Sequence, residues 1–242
     1  MRQSTDIEKI FTTELSNRNI FLTETQLDKF RVYFQLLIEW NQRMNLTGIT
    51  DEFGVYFKHF YDSISLSFCV NIDQIQTLVD IGPGAGFPGI PLKICFPHLK
   101  ITMIESLNKR VTFLNEVINE LKLSGINAVH GRAEECAHER KYRFQFDLAT
   151  ARAVSNLSTL IEISSAFLNE SGSFIAMKGP DVADELSAAE YALQQLRVKK
   201  TRLQLFDLPQ ELGKRSLISF ERFELTPFKY PRKQGLPFNK PL

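Results

Sequence analysis

The sequence predicts an α/β domain built on a mostly parallel β-sheet, with a helical extension before it and a basic tail after it. Three observations predict this fold. Five short apolar runs alternate with amphipathic helical patterns, a glycine-rich loop follows the first run, and two segments near the end alternate as an antiparallel pair would. Such alternation favours a parallel sheet with right-handed crossovers and helices on both faces. The expected units are residues 1–72, 73–225 and 226–242.

Composition places the chain among ordinary globular proteins. Its 242 residues are 43% hydrophobic and 24% charged, with a net charge of +1, so an anionic partner must meet a local basic patch. No apolar stretch reaches membrane-spanning length, and the N-terminus lacks the apolar core of a signal peptide. We therefore expect a cytoplasmic protein without a membrane partner. Cys69, Cys95 and Cys136 are widely spaced, which favours buried thiols over disulfides.

The extension, from about residue 5 to residue 70, has a helical pattern. Thr5 with Glu8, and Thr23 with Gln26, have the spacing of capping boxes. The second predicted helix repeats one face at helical spacing through Leu27, Phe30, Phe34, Leu37 and Asn41.

A third helix is expected from about residue 52 to residue 69. His59 and Asp62 lie three residues apart in it and can share one face. We expect this pair to brace the extension against the sheet domain.

The predicted strands follow the apolar runs at 77–81, 100–105, 126–130, 145–150 and 173–178. Near the end, Leu203 with Leu205 and Ile218 with Phe220 alternate as strand residues do, which indicates an antiparallel pair at the sheet edge. The last segment, 226–242, holds four of the ten prolines and no acid, so it is expected to be extended. We expect this tail to pack on the core through Phe228, Tyr230 and Phe238.

The loop after the first run has glycines at Gly82, Gly84 and Gly86. Glycine adopts backbone angles that other residues avoid, and it leaves room for a ligand against the main chain. The frame from Gly84 fits a dinucleotide pattern and hence NAD, whereas the frame from Gly82, Asp-x-Gly-x-Gly-x-Gly, is associated with S-adenosylmethionine. The second frame puts a glycine directly at the strand end, which favours S-adenosylmethionine.

Two further acids are candidates for cofactor contacts. Glu105 ends the second run, where a carboxylate can accept hydrogen bonds from ribose hydroxyls of either cofactor. After the third run come Ala133 and Glu134, whose backbone N–H and carboxylate could reach adenine. An acid at a helix start is the alternative interpretation of Glu134.

These residues belong to a longer series of motifs that occur in a fixed order. The series is Asn45-Leu46-Thr47-Gly48-Ile49, His59-x-x-Asp62-Ser63, the glycine loop ending in Phe87-Pro88-Gly89-Ile90-Pro91, Glu105-Ser106-x-x-Lys109-Arg110, Ala133-Glu134, Ala151-Arg152-Ala153, Lys178-Gly179 and Tyr230-Pro231-Arg232. It spans nearly the whole chain and resembles the ribosomal small-subunit methyltransferase G family, also called glucose-inhibited division protein B.

The resemblance implies the class I methyltransferase fold, with a seven-stranded sheet whose last strand is antiparallel. It implies transfer of methyl from S-adenosylmethionine to N7 of a guanine in helix 18 of 16S rRNA, in the small ribosomal subunit. The cofactor contacts that it implies are Gly82, Phe87, Ala133, Glu134 and Arg152.

The chain shows no obvious general base or nucleophile for methyl transfer, and methylation of guanine N7 needs neither. Guanine N7 carries a free lone pair at neutral pH, so in-line attack on a sulfonium methyl requires no general base. Positioning can then contribute roughly 7–11 kcal/mol to lowering the barrier. Arg152 is the residue expected to influence turnover most, by holding the methionine carboxylate or the guanine O6 edge, with a structural salt bridge as the alternative. Lys178 is a second catalytic candidate, which could pair with an RNA phosphate near the pocket. The alternative interpretation is a solvated lysine.

Contacts with RNA are expected from basic side chains on several elements. The candidates are Lys109, Arg110, Lys199, Lys200, Arg232 and Lys233. Two other functions stay open at this stage: an NAD-linked Rossmann oxidoreductase, and a ribosome assembly factor without catalysis. Histidines His98, His130 and His138 lack metal-ligand spacing, so no metal is expected, and a monomer is the expected state.

Overall fold

The structure, a computed structural model, describes residues 6–152 and 155–242. Thr5 of the first predicted capping box and Ala153 of the Ala-Arg-Ala motif lie outside the described residues. Within them, seven strands form a single sheet. The strands are β1 (Thr77–Ile81), β2 (Lys100–Glu105), β3 (Ile126–His130), β4 (Phe146–Arg152), β5 (Leu168–Lys178), β6 (Val198–Asp207) and β7 (Lys214–Arg222).

The sheet is parallel over its first five strands and antiparallel at one end. Its order is β3-β2-β1-β4-β5-β7-β6, with β7 antiparallel to both β5 and β6. The predicted mostly parallel sheet with an antiparallel pair at its edge is therefore confirmed. The first three strands have the predicted bounds. Strand β5 begins five residues earlier than predicted, because Leu168 pairs with Phe146 across a shift in register.

Two amphipathic helices open the described chain, α1 (Asp6–Ser16) and α2 (Glu24–Asn41). The Thr23 side chain and the Gln26 side chain cap α2 reciprocally, which confirms the second predicted capping box. Glu8 accepts two hydrogen bonds from Arg31 of α2, at 2.6 and 2.8 Å. This ion pair joins the two helices.

The third helical segment is irregular. It comprises α3 (Glu52–Gly54), a π-helical turn (Val55–Tyr61), α4 (Asp62–Ile64) and a 3₁₀ turn (Ser65–Phe68). It covers the predicted range, but π-helical turns were not predicted from the sequence. Such turns are rare and occur often at functional sites.

The remaining helices lie on both faces of the sheet. They are α5 (Gly89–Cys95), α6 (Asn108–Glu120), α7 (Ala133–Cys136), α8 (Leu157–Ser165), α9 (Ala183–Ala188), α10 (Glu190–Leu196) and α11 (Leu236–Asn239). One apolar core joins the N-terminal helices to one face of the sheet, through residues such as Phe11, Phe60 and Leu78. A second core packs α8 and α10 on the other face. The helical extension is thus held to the sheet by shared packing.

The C-terminal tail is anchored to the second face rather than left free. Arg143 donates to the carbonyl of Tyr230 at 2.9 Å, and the Thr159 hydroxyl donates to the carbonyl of Pro237 at 2.7 Å. None of the helices in the described part of the chain combines the length and apolar character needed to span a bilayer.

Arg232, a predicted RNA contact, is paired with an acid within the protein. Its guanidinium donates to both carboxylate oxygens of Glu162, at 2.9 Å and 2.7 Å, and Glu162 is fully buried. The Arg232 backbone N–H donates to the same carboxylate at 2.7 Å. A buried carboxylate requires a paired cation, and Arg232 supplies it. The sequence predicts a basic tail packed on the core, and in the structure this cation fixes the tail to α8. The predicted contact of Arg232 with RNA stays a prediction.

Candidate active site at the glycine loop and Arg152

The glycine loop has a packed side and an open side. Gly82, Gly84 and Gly86 have φ values of +67°, +59° and +97°. A Cβ atom on Gly86 would lie 2.6 Å from the Tyr33 hydroxyl and 2.5 Å from the Ile90 side chain. A Cβ atom on Gly84 would have no neighbour within 4 Å. Packing therefore requires a residue without a side chain at Gly86. At Gly84 the absence of a side chain leaves open space that a ligand can occupy.

That space is a cavity of about 380 Å³ at the carboxyl ends of β1 and β2. It is lined by Leu46, Thr47, His59, Gly82, Pro83, Gly84, Ala85, Phe87, Glu105, Ser106, Arg110 and Arg152. Ligands of open α/β sheets bind outside the carboxyl ends of the strands, where this cavity lies. Its walls come from the sheet domain and from the N-terminal extension together.

Glu105 is held in position by backbone donors. Its carboxylate accepts from the N–H of Gly84 at 3.1 Å and from the N–H of Leu107 at 2.9 Å. The side chain is 3% exposed, and a guanidinium nitrogen of Arg110 is 3.8 Å away. Oε1 also lies 3.5 Å from the Ser106 hydroxyl, whereas Oε2 accepts a hydrogen bond only from Gly84 among the described residues and keeps a second acceptor site. The carboxylate lines the cavity. This arrangement fits a ribose, whose adjacent hydroxyls both donate.

Asp80, at the end of β1, is a fully buried carboxylate beside the loop. One oxygen accepts from the N–H of Gly89 at 2.8 Å, and the other has no partner among the described residues. Burial raises the pKa of Asp80 to about 7. A buried acceptor without a donor is rare in folded proteins, and at a ligand site it fits a donor from the ligand or its solvent. Asp80 does not itself line the cavity, so the fit to a nucleoside cofactor rests on Gly84 and Glu105, which do.

A second cavity of about 630 Å³ adjoins the first, and Arg152 and His59 line both. Its lining residues are Ile49, Lys58, His59, Asp62, Arg152, Met177, Lys178, Gly179, Pro180, Asp181, Glu185, Arg215, Ser216 and Leu217. Arg152 ends β4. It thus stands between a cofactor-sized cavity and a second, larger one.

A chain of polar contacts fixes Arg152. Asp62 bonds Arg152 at 3.0 Å and Arg215 at 3.2 Å, so one carboxylate holds two guanidinium groups. His59 Nδ1 lies 3.2 Å from Arg152 Nη2, and His59 Nε2 lies 2.7 Å from the Thr47 hydroxyl. The predicted bracing pair, His59 and Asp62, therefore reaches the sheet domain through Arg152.

The protonation of His59 follows from its surroundings. Burial and the nearby charge of Arg152 lower the pKa of His59 to about 3, so the imidazole is neutral. Because Arg152 can only donate, Nδ1 accepts from it, and we assign the ring proton to Nε2. Nε2 then donates to Thr47.

Phe87 supports this pair from one side. The His59 ring stacks on Phe87 with centroids 4.6 Å apart and an 18° angle between the ring planes. The Arg152 guanidinium carbon lies 4.9 Å from the Phe87 ring centroid. Phe87 lines the first cavity, as a predicted cofactor contact would, and it also orients the residues between the cavities.

Lys178 lines the second cavity but is already paired. Its ammonium donates to the Ser155 carbonyl at 2.7 Å and lies 2.7 Å from the Glu185 carboxylate. The solvated alternative does not describe this half-buried pair, and the predicted contact with an RNA phosphate stays a prediction. The physical reason is that α9 brings an acid over the end of β5, which the sequence did not reveal.

Ala133 and Glu134 are not part of the wall of the first cavity. The Glu134 carboxylate is 3% exposed and accepts from the N–H of Gly235 in the tail at 3.1 Å. Among the described residues, the wall of the first cavity is formed by the residues named above for it. The structure therefore assigns the Glu134 side chain a contact with the tail, and the predicted adenine contact of this pair stays a prediction.

The basic candidates for RNA contacts fall into two groups. Arg110 lines the first cavity near Glu105, while Lys109, Lys199, Lys200 and Lys233 are exposed. Lys199 and Lys200 lie on β6, the edge strand, where lysines also discourage pairing with other strands. Their contact with RNA stays a prediction. In the part of the chain that the structure describes, no group of three or more His, Cys, Asp or Glu side chains is arranged to hold a metal.

Sequence reasoning missed two residues that shape the site. Tyr33 donates its hydroxyl to the carbonyl of Ala85 in the glycine loop, and Arg215 shares the Asp62 carboxylate with Arg152. Tyr33 sits on the apolar face of α2, where an aromatic residue is typical of core packing. Arg215 lies at the start of β7, and nothing in its local pattern indicated a site.

Comparisons with known proteins point to a single family. A family model described as GidB, rRNA small subunit methyltransferase G, matches residues 26–216. A relative from Brevibacillus brevis named ribosomal RNA small subunit methyltransferase G is 50% identical over 232 residues, which are 96% of this chain and 98% of the relative. A relative of the same name from Staphylococcus aureus (strain Newman) is 46% identical over 229 residues, 95% of each chain.

Solved structures of more distant proteins share the fold. A putative O-methyltransferase from Klebsiella pneumoniae superposes with a TM-score of 0.54 at 12% identity, over 78% of this chain and 89% of its own. M. jannaschii TYW2 in complex with AdoMet superposes with a TM-score of 0.53 at 15% identity, over 72% and 79%. At this identity the likeness shows the fold alone.

Proposed function

Because the chain belongs to the rRNA small subunit methyltransferase G family, we propose that it transfers a methyl group from S-adenosylmethionine to N7 of a guanine in 16S rRNA. The observation that carries the proposal is the pair of adjoining cavities that share Arg152 and His59. A methyl transfer needs donor and acceptor held face to face, and two cavities with a common wall provide this.

The first cavity suits S-adenosylmethionine better than NAD. Strand β1 ends at Ile81, so the turn begins at Gly82, as the Asp-x-Gly-x-Gly-x-Gly frame requires. Glu105 would accept the ribose hydroxyls, and the open side of Gly84 would lie against the nucleoside. Bound there, S-adenosylmethionine supplies an electrophilic methyl group. A cavity of about 380 Å³ lies within the range of ordinary small-ligand sites.

The residues of the second cavity need only to position the base. Guanine N7 is a nucleophile without deprotonation, so the chain supplies orientation and exclusion of water. Asp62 and His59 occupy donors on both terminal nitrogens of Arg152, which leaves its Nε–H and one Nη2–H without a hydrogen-bond partner among the described residues. We assign these donors to O6 of the guanine, whose position beside N7 would aim the reacting nitrogen toward the methyl group.

The RNA surface in this proposal is the exposed basic set of Lys109, Lys199, Lys200 and Lys233. Phosphate contacts by such residues give affinity that falls as salt rises. Both cavities are built by one chain, which supports action as a monomer. An enzyme that modifies ribosomal RNA acts where ribosomes are assembled, so we place it in the cytoplasm.

The test is to incubate the purified protein with S-adenosylmethionine and small ribosomal subunits, then map the modified nucleotide and its methylated atom. We expect 7-methylguanosine at one position. Methyl transfer to an amino nitrogen or a carbon would refute the proposed chemistry. Binding of small subunits without any transfer would favour the assembly-factor alternative, and binding of NAD without S-adenosylmethionine would favour an oxidoreductase.

A further inference from the structure

The second cavity contains two charged side chains, Lys58 and Asp181, that have no hydrogen bond or ion pair among the described residues. Asp181 is exposed and Lys58 is half-buried. The other charged side chains of this cavity pair with one another, and these are Asp62, Arg152, Arg215, Lys178 and Glu185. Because the protein pairs these five charges internally, the Asp181 carboxylate and the Lys58 ammonium are the charged groups of this cavity that lack an internal partner.

A guanine nucleotide matches two free charges of opposite sign. Its Watson–Crick edge presents two adjacent donors, N1–H and the N2 amino group, while its phosphate is an anion. A carboxylate can accept both donors in parallel, and such charge-assisted pairs are stronger than neutral ones. Adenine presents an acceptor at N1, so it cannot make this pair.

The placement also fits the direction of the reaction. N7 lies on the Hoogsteen edge of guanine, whereas N1–H and the N2 amino group lie on the Watson–Crick edge, and O6 lies between the two. Arg152 lies on the wall shared with the cofactor cavity, whereas Asp181 lines the second cavity and also the neighbouring groove beside Leu203. A base with N7 toward Arg152 would therefore turn its Watson–Crick edge away from the cofactor, toward the side where Asp181 lies.

We propose that Asp181 selects guanine by accepting hydrogen bonds from N1–H and the N2 amino group, while Lys58 pairs with the phosphate of the same nucleotide. This inference rests on the proposed function and adds the residue that reads the base. It also requires that the guanine be unpaired when it is methylated, since a base pair would occupy the same edge.

The experiment compares guanosine with inosine, which lacks only the N2 amino group. Small subunits are reconstituted with 16S rRNA carrying either nucleoside at the mapped position, and kcat/KM for methyl transfer is measured. The variants are Asp181→Asn and, as a matched control, Asp184→Asn. Asp184 is also exposed, lies three residues away and lines only the neighbouring groove. Affinity for S-adenosylhomocysteine is measured in each variant to verify an intact cofactor cavity.

For the wild-type protein we expect about a tenfold or greater preference for guanosine over inosine, the size of a hydrogen bond to a charged group. D181N should lower kcat/KM for guanosine by about tenfold to hundredfold, and its preference over inosine should fall toward one. D184N should behave as the wild type. An unchanged preference in D181N, or equal losses in both variants, would overturn the role of Asp181 while leaving the methyltransferase activity established. Absence of transfer to guanosine by the wild-type protein would instead reject the proposed function itself.

Discussion

His59 and Arg152 are in contact above the same aromatic ring. The imidazole Nδ1 and the guanidinium Nη2 are 3.2 Å apart, and both groups pack on Phe87. His59 belongs to the N-terminal extension and Arg152 to the end of β4. The wall between the two cavities is therefore assembled from both parts of the chain. Asp62 and His59 of the extension hold the Arg152 guanidinium in place.

The first prediction concerns Arg152→Lys. A lysine keeps the charge but lacks the planar fork, so it cannot hold Asp62 and His59 while also donating to guanine O6. We expect single-turnover methyl transfer to fall by about a hundredfold, the size seen when one donor at a reacting centre is removed. Affinity for S-adenosylhomocysteine, measured by calorimetry, should stay within about threefold. An equal loss of cofactor affinity would show that Arg152 holds the methionine carboxylate instead.

The second prediction concerns Glu105→Gln. The amide would offer one acceptor oxygen where the carboxylate accepts from Gly84 and Leu107 with two. Affinity for S-adenosylmethionine should weaken by about tenfold to hundredfold, because hydrogen bonds to a charged group are lost. Glu120→Gln, at the exposed end of α6, is the matched control and should bind as the wild type does. Identical affinities in the two variants would contradict the assignment of Glu105 to the ribose.

The sheet and the cofactor loop were predictable because their signals are local. A buried strand next to a glycine turn has a composition that few other structures share, and the first three strands have the predicted bounds. The contacts of Tyr33, Glu134 and Arg232 were not predictable. Each depends on which distant segment packs against the residue, and a core tyrosine, a helix-start acid and a surface arginine have the same local patterns wherever they occur. For the same reason, the pairing of Lys178 with Glu185 required the fold.

The third prediction contrasts two glycines of one loop. Gly86→Ala places a Cβ at φ +97° against Tyr33 and Ile90, whereas Gly84→Ala places one at φ +59° in open space. By urea unfolding we expect G86A to lose about 3 kcal/mol, from backbone strain together with overpacking. G84A should lose about 1 kcal/mol from its backbone alone, yet bind S-adenosylmethionine at least tenfold more weakly. Equal stability of the two variants, or normal cofactor binding by G84A, would show that the loop has no distinct packed and open sides.

The fourth prediction is a pH dependence of stability. The pKa of His59 is lowered from its usual 6.5 to about 3, so the unfolded chain binds a proton there that the folded protein does not. The contribution of His59 to the free energy of unfolding is close to zero above pH 6.5. It reduces stability progressively as the pH falls toward 3. Asp80 contributes the opposite slope between about pH 4 and its raised pKa of about 7, so only a difference between proteins isolates the histidine.

The measurement is therefore the unfolding free energy of the wild type and of His59→Gln at pH 7.0, 6.0, 5.0 and 4.5. Between pH 6 and pH 4.5 the wild type should lose up to about 1.4 kcal/mol per pH unit more than the variant. Parallel curves would mean that the imidazole becomes protonated in the folded protein, and would remove the basis for assigning its proton to Nε2.

The fifth prediction separates two adjacent cations of the tail. Arg232 neutralises the buried Glu162, whereas the exposed Lys233 side chain has no hydrogen bond or ion pair among the described residues. Arg232→Ala should destabilise the protein by about 3 kcal/mol, because it leaves a buried carboxylate without its cation. Lys233→Ala should have the same unfolding free energy as the wild type. Its binding to small subunits should depend less steeply on salt, and the slope of log K against log salt should be smaller in magnitude by about one. If R232A were as stable as K233A, the tail would not be anchored through Glu162. If instead K233A kept the full salt dependence, the tail would lie outside the RNA interface and the basic contacts would have to come from Lys109 and the edge strand.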